Sequence, residues 1–341
     1  MELNMLPGVL VPWYRENRRE LPWRRTREPY HIWVSEIMLQ QTRVEAVKGY
    51  YARFLEQLPD IGSLAHCEDD RLHKLWEGLG YYSRVRNLKK AAQVILDQHG
   101  GVFPRDYALV RALPGIGDYT AGAICSIAFG QPTPAVDGNV LRVLSRLRAD
   151  GEAIDLPATK KRVQSELAEI YPADQAGEFT QALMELGATV CVPNGEPKCE
   201  SCPCCSFCKG REDWQRLPVK LPKKEKKQED RTVFLLHCGD RWAIEKRPNK
   251  GLLAGLWQYP NVPGHLTAEQ AIGWAEDRGL HPRNLERSLD RHHIFTHIRW
   301  DLRGWFLEVG EMTGAYTWLT LEEIDEQAAL PTAFRQFREE I

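Results

Sequence analysis

Six of the nine cysteines crowd into one stretch, CVPNGEPKCESCPCCSFC, from Cys191 to Cys208, while Cys67, Cys125 and Cys238 stand alone. Thiolates this dense chelate a metal or a cluster, or else form a disulfide framework. The N-terminus, MELNMLPGVLVPWYREN, has neither a basic leader nor a small-residue cleavage site, so the expectation is a metal site in a cytoplasmic chain. A second device is LPGIG, Leu113–Gly117. Glycines at this spacing allow tight turns and leave N–H groups free to face an anion, and a following helix adds its positive end. The string grips phosphate without a lysine, or else merely connects two helices. A third is VDGN, Val136–Asn139, opening a helix over Val140–Leu147. Asp137 is then an N-cap, worth about 1 kcal/mol. Backbone donors and the positive helix end are expected to keep it ionised, as a nearby developing cation requires.

Four segments then occur in order: SEIMLQQT (Ser35–Thr42), GLGYYSRVRNL (Gly78–Leu88), LPGIGDYTAGAI (Leu113–Ile124) and VDGNVLRVLSRL (Val136–Leu147). From about Trp13 to Cys208 the chain resembles the adenine DNA glycosylase (MutY) branch of the endonuclease III superfamily. The resemblance implies that Glu36 is the acid that protonates the leaving adenine. Its neighbours Ile32, Trp33, Val34, Ile37, Met38 and Leu39 explain how, since a carboxyl among apolar groups stays protonated near neutrality. Bifunctional relatives carry a lysine where this chain has Tyr119. Without that amine no Schiff base forms, and a monofunctional hydrolase is expected. Family positions for the pocket, wedge and DNA contacts are Trp23, Arg24, Leu39, Gln41, Thr42, Tyr81, Gly115, Gly117 and Gln181.

The cysteine stretch resembles the family's iron–sulfur loop. Cys199, Cys202 and Cys208 keep its spacing of two and five intervening residues, and seven residues separate Cys191 from Cys199, one more than the pattern. One 4Fe-4S cluster on Cys191, Cys199, Cys202 and Cys208 is implied, with Lys198, Lys209 and Arg211 adding positive charge. Cys204 and Cys205 are extras, either able to replace Cys208, and a four-cysteine zinc site is the alternative. The C-terminal part resembles the MutT-like, Nudix-fold domain of the same family. Its Gly264–Leu280 segment lacks the paired acids of a phosphohydrolase at Trp274-Ala275-Glu276-Asp277. The family's 8-oxoguanine-reading loop, commonly Phe-Ser-His, is matched by Phe295, Thr296 and His297, with a hydroxyl retained. A polar turn between strands is the plainer account of those residues.

The implied reaction removes undamaged adenine opposite 8-oxoguanine or guanine in duplex DNA, after base flipping. Glu36 protonates N7, Asp137 stabilises the oxocarbenium-like sugar with help from Tyr119, and water completes hydrolysis, with no catalytic metal. Three rivals are a lyase-type glycosylase for oxidised pyrimidines, a non-catalytic damage-binding protein, and a nucleotide hydrolase. The missing lysine, the two carboxylates and the degenerate box argue against them in turn.

These groups need a scaffold. Up to residue 190 the chain reads as helix after helix, with no strand before residue 230. His31–Leu39 is apolar nearly all round, Thr42 with Glu45 forms a capping-box pattern for a helix through about Leu58, and Ser83 caps a helix that stops at Gly100-Gly101. A short helix spans about Asp106–Ala112, and a longer one Asp118–Phe129. Phe179, Ala182, Leu183, Leu186 and Val190 repeat at helical spacing. Residues 211–230 hold two prolines and a lysine run, an exposed hinge in which Lys223, Lys224, Lys226 and Lys227 are solvated or touch phosphate. Beyond it, Thr232–His237 and Arg241–Lys246 flank Cys238-Gly239-Asp240 as a hairpin, Trp300–Val309 is a strand, and Thr267–Arg278 a helix.

The expected fold is multi-domain: an all-α helix-hairpin-helix core with its iron–sulfur loop over 1–212, a linker over 213–230, and an α+β Nudix-like domain over 231–341. A length of 341 residues suits about two domains, and 43% hydrophobic with 27% charged residues excludes disorder or a fibrous repeat. No run of about 18 apolar residues is present to span a membrane. A net charge of −2 and a pI near 6.6 provide no overall basic footprint, so DNA must be held by local patches and backbone donors. A monomer of bacterial type, nucleoid-associated through DNA, is expected.

Overall fold

The computed structural model describes residues 3–222 and 225–341; Lys223 and Lys224, read above as hinge or phosphate contacts, lie outside the described residues. The chain divides into two compact units. One takes in the chain up to His66 together with Arg86–Pro222, and the other Cys67–Val85 together with the chain beyond Pro222.

The first unit is helical. Helices Met5–Asn17, Asp118–Phe129 and Gly138–Arg148 all pack on Ala176–Thr189, whose Phe179, Ala182, Leu183 and Leu186 are buried. The periodicity of that segment therefore reports its inward face. Helix Pro29–Leu39 buries every residue from Ile32 to Met38, as its all-round apolar composition requires, and packs on Asp118–Phe129 and Val44–Gln57. Pro29 stands at its first position, where no intrahelical N–H is needed.

One capping expectation fails. Helix Val44–Gln57 is capped by Arg43 without a side-chain bond, and Thr42 lies one residue too early to reach the first turn. Glu45, cast as its partner, pairs instead with Lys48 at 2.8 Å. Ser83 likewise is the first residue of helix Ser83–His99 rather than the residue before it. The stop falls where expected, because Gly100 and Gly101 take φ of 61° and 78°.

The second unit is built on a seven-stranded sheet: β1 (Lys227–Cys238), β2 (Arg241–Lys246), β3 (Trp257–Gln258), β4 (Asn261–Pro263), β5 (Pro282–Ile294), β6 (Ile298–Val309) and β7 (Thr317–Thr320). The order is β3-β2-β1-β6-β5, with β4 also on β1 and β7 also on β2. β1 and β2 form the expected hairpin, pairing Cys238 with Arg241, while β1 and β6 run parallel. Alternation along β1 feeds two cores. Val233 and Leu235 join Trp300, Phe306, Phe334 and Phe337 on one face, whereas Phe234 and Leu236 join Ala271, Ala275 and Leu307 on the other. Helix Ala268–Glu276 carries a full capping box on Thr267 and Gln270, and its Trp274 stacks on Phe234 with centroids 3.6 Å apart.

Two sequence expectations are corrected here. β1 starts at Lys227, inside the expected hinge, and Lys226 donates to the carbonyl of Phe295 at 2.9 Å, so neither lysine belongs to a free linker. β5 was not foreseen at all. Its PRNLERSLDRHHI is largely exposed, because it forms a sheet edge, so the apolar alternation that marks a strand is absent.

Cys67–Val85 folds with this unit. The backbone N–H of Leu330 donates to Glu77 at 2.9 Å, Lys74 donates to the carbonyl of Ala328 at 3.3 Å, and Lys246 pairs with Asp70 at 2.8 Å. Among the described residues, no helix is long and apolar enough to cross a membrane.

Candidate active site

Glu36 lies on the buried helix Pro29–Leu39 and is only 5% exposed. Burial pushes its pKa up to about 7; the Tyr119 hydroxyl opposes this by donating to Glu36 Oε2 at 2.5 Å, the negative charge of Asp137 adds to it, and Arg24 opposes it. Tyr119 is supplied by the second helix of the hairpin, Asp118–Phe129. Its own pKa is driven well above the ordinary phenol value by burial first and then by the two carboxylates, so it stays a neutral donor. Asp137 arrives from a third element as the N-cap of Gly138–Arg148, accepting from Val140 N at 2.8 Å and from Asn139 Nδ2 at 2.7 Å. The expected donors are thus present, yet burial outweighs them and raises its pKa.

The three groups share one cavity of about 210 Å³ with Trp23, Arg24, Leu39, Thr42 and Gln181. That exceeds the roughly 150 Å³ apolar cavity that admits benzene, so a single flat base fits. Eight of the nine pocket, wedge and DNA-contact positions named from sequence therefore sit in this unit around Glu36 or beside it, since Gln41 joins Leu39, Gly115, Gly117, Tyr119 and Asp137 along an open groove. Gly115 takes φ of 76°, and a Cβ there would lie 2.6 Å from the Asn87 Cβ, so the turn requires glycine. Gly117 caps the next helix without a side-chain bond, which leaves the helix's first N–H groups to an anionic ligand. Gln41 is itself left-handed, at φ 58°, a conformation that costs a non-glycine residue about 1–3 kcal/mol.

Tyr81, Phe295, Thr296 and His297 belong to the other unit. Tyr81 is also left-handed, at φ 46°, and 45% exposed. Phe295–His297 is the turn between β5 and β6, closed by Phe295 N donating to Ile298 O at 2.8 Å. Phe295 packs edge-on against Trp300 and His293, with centroids 4.9 and 4.5 Å away. Thr296 is exposed and its hydroxyl lies 3.4 Å from the Tyr81 hydroxyl.

Three site residues escaped the sequence reading. Glu185 is fully buried and takes Arg19 in a two-pronged pair at 2.8 and 2.7 Å, and Arg24 at 2.8 Å. Burial works against its charge, but the two arginines prevail and hold its pKa at about 2. Glu185 lies between Met184 and Leu186, so the argument applied to Glu36 marks it equally. Asn139, in the same motif as Asp137, links that carboxylate to Arg142, which donates to Asn139 Oδ1 at 2.8 Å.

Arg142 also ties the helix to the cysteine loop, donating to Cys191 O at 2.9 Å, while Arg146 reaches Cys191 Sγ at 3.4 Å. Cys191, Cys199, Cys202 and Cys208 line one cavity, and Cys205 joins them. Cys204 turns into the helical core and is fully buried, which sets it apart from the rest. None is in a disulfide. Among the described residues, no group of three or more His, Cys, Asp or Glu side chains is drawn together to hold a metal ion; the thiols surround a space rather than meet at a point. A thiol-lined cavity with an arginine donor at one sulfur is a donor set that fits an iron–sulfur cluster.

Residues 34–173 match the HhH-GPD superfamily of base excision DNA repair proteins, and residues 232–340 match the NUDIX domain. The adenine DNA glycosylase of Homo sapiens is 34% identical, over 98% of this chain and 73% of its own. Among solved structures, a thermostable thymine-DNA glycosylase is 28% identical, covering 62% of this chain and 97% of its own with a TM-score of 0.57. A trapped endonuclease III–DNA covalent intermediate is 25% identical, over 62% and 95%, with a TM-score of 0.52. An acid poised near neutrality, a hairpin able to take an anion, and these likenesses converge: the chain belongs to the adenine DNA glycosylase family.

Proposed function

We propose that this enzyme is a monofunctional glycosylase that hydrolyses the N-glycosidic bond of adenine mispaired with 8-oxoguanine or guanine, acting as a monomer on cytoplasmic DNA. The observation that carries the reading is Glu36, buried and hydrogen-bonded to Tyr119 in a cavity that Asp137 also lines. Flipping an adenine out of the duplex costs a few kcal/mol, least at a mispair. Once the base is seated, Glu36 delivers its proton to N7 and withdraws electron density from the glycosidic bond. Asp137 faces the cationic sugar that results. Glu36, now ionised, takes a proton from the attacking water. Tyr119 steadies the ionised carboxylate and, lacking an amine, forms no Schiff base with the sugar.

Gly115 and Gly117, with the helix end behind them, would take a DNA phosphate, and Trp23, Arg24, Leu39, Gln41, Thr42, Tyr81 and Gln181 would serve as the pocket and wedge positions. Phe295, Thr296 and His297 would read 8-oxoguanine from a Nudix-like domain beginning at about residue 231. Cys191, Cys199, Cys202 and Cys208 would hold one 4Fe-4S cluster. When bound it cross-links the loop, and Arg142 and Arg146 anchor that loop to the helix bearing Asp137. The decisive experiment incubates the protein with a duplex carrying one adenine opposite 8-oxoguanine, then adds alkali. Cleavage only after alkali is expected; an intact strand after alkali, or nicking without it, contradicts the reading.

A further inference from the structure

Gln181 lines the cavity that holds Glu36 and Asp137, but an amide is ambiguous as a reader. One end accepts, the other donates, and a half-turn of the group exchanges them. Helix Met5–Asn17 removes the ambiguity. Its Tyr14 is 1% exposed and donates its hydroxyl to Gln181 Oε1 at 2.9 Å. The Arg18 and Arg24 guanidinium groups stand over the Tyr14 ring, 6.0 and 5.4 Å from its centroid, and hold the phenol in place. An amide oxygen facing the phenol can only accept, so the hydroxyl donates to it. At the other end Gln181 Nε2 donates to Gly177 O at 3.3 Å, where a reversed amide would set two oxygens against each other. The second Nε2–H is then the donor the amide can offer a base.

We propose that Tyr14 is a positioning residue for base selection. It fixes the Gln181 amide so that the cavity accepts a purine with a lone pair at N1 and rejects one with a proton there. Adenine has the lone pair; hypoxanthine and guanine carry N1–H. Flipped bases are read largely on this Watson–Crick edge. Tyr14 itself is not among the residues lining the cavity, so it acts through Gln181. The proposal rests on the adenine-excising reading above.

The test measures single-turnover excision of adenine and of hypoxanthine, each opposite 8-oxoguanine in the same duplex. Full-length wild type, Tyr14→Phe, Gln181→Leu and the double variant are compared, with thermal midpoints recorded for each. The adenine-to-hypoxanthine ratio should fall about tenfold in Tyr14→Phe, the worth of one well-placed hydrogen bond. It should fall as far in Gln181→Leu, and no further in the double variant. A purely structural role would slow both bases alike; an unchanged ratio in Tyr14→Phe overturns the proposal. So does a Tyr14→Phe effect that persists undiminished when Gln181 is already leucine. Should Tyr14→Phe fail to fold, Gln181→Glu puts an acceptor at the donor position and must lower the ratio, with a retained ratio counting against the idea. Wild-type protein that leaves adenine untouched sinks the glycosylase reading instead, a result distinct from any loss of selectivity.

Discussion

Glu36 has its midpoint at about pH 7 because burial disfavours its charge more than Tyr119 and Arg24 restore it. An acid of that strength is protonated below neutrality and yet gives up its proton readily, which suits it to protonate a weakly basic ring nitrogen. Replacing it by glutamine keeps the shape and removes the proton. Single-turnover excision by Glu36→Gln should fall by at least ~10²–10⁴-fold while binding to the mispair survives, and gel-shift titration beside product assays would show both. Near-normal turnover would remove Glu36 from the mechanism. The sign of the pH dependence follows as well. The working form is the protonated one, so wild-type excision should decline as pH rises through about 7. The Tyr119 hydroxyl stabilises the carboxylate, so Tyr119→Phe should move that decline to higher pH. A decline that moves lower, or stays fixed, would show that Tyr119 does not set the acidity.

At the scale of elements, Gly138–Arg148 has Asp137 at its N-cap and Arg142 and Arg146 along its length holding Cys191. Gly187 lets this helix press against its neighbour, because a Cβ there would lie 2.6 Å from the Asn139 Cβ. Losing one of the proposed cluster ligands should disturb binding and solubility before chemistry. Cys202→Ala should yield a protein depleted in iron, with weaker affinity for DNA and a smaller change in the single-turnover rate. Iron analysis and the visible absorbance of the cluster check the first part, and stoichiometric zinc in a colourless, fully active protein would contradict it. Helices with an apolar stripe, such as Ala176–Thr189, were legible in the sequence because local composition dictates them, as were the hairpin and the cap at Asp137, whereas Glu36 was marked out by the family resemblance and only its burial by its apolar neighbours. Tyr14 was not legible, since its partner lies 167 residues away, and the arginine pairing that keeps Glu185 charged was equally hidden, at a separation of 166. The edge strand β5 stayed hidden because a solvated edge carries no hydrophobic alternation.

Across the whole molecule, the loop Phe295–His297 is anchored within its unit by β5, by β6 and by Lys226 on the carbonyl of Phe295. A hydroxyl held on so firm a mount can discriminate by hydrogen bonding. Thr296→Val should thus reduce the preference for 8-oxoguanine over guanine opposite the target adenine by roughly 5- to 150-fold, the span of ~1–3 kcal/mol. Paired single-turnover assays on the two mispairs decide it, and an unchanged ratio would move recognition elsewhere. Truncation after about Asp230 is a poorer test, for it cuts within β1 and strips Cys67–Val85 of Lys246, Ala328 and Leu330. That borrowed segment also sets a timetable for biogenesis. Glu77 leaves the ribosome 253 residues ahead of Leu330, the N–H that it accepts. At about 5–20 residues per second this is a wait of roughly 13–50 s. During that interval Leu72 and Trp76, both buried in the finished protein, lack the C-terminal half of their unit. Until its last strands and helices arrive, the nascent chain must therefore carry these apolar side chains without the partners that complete their unit.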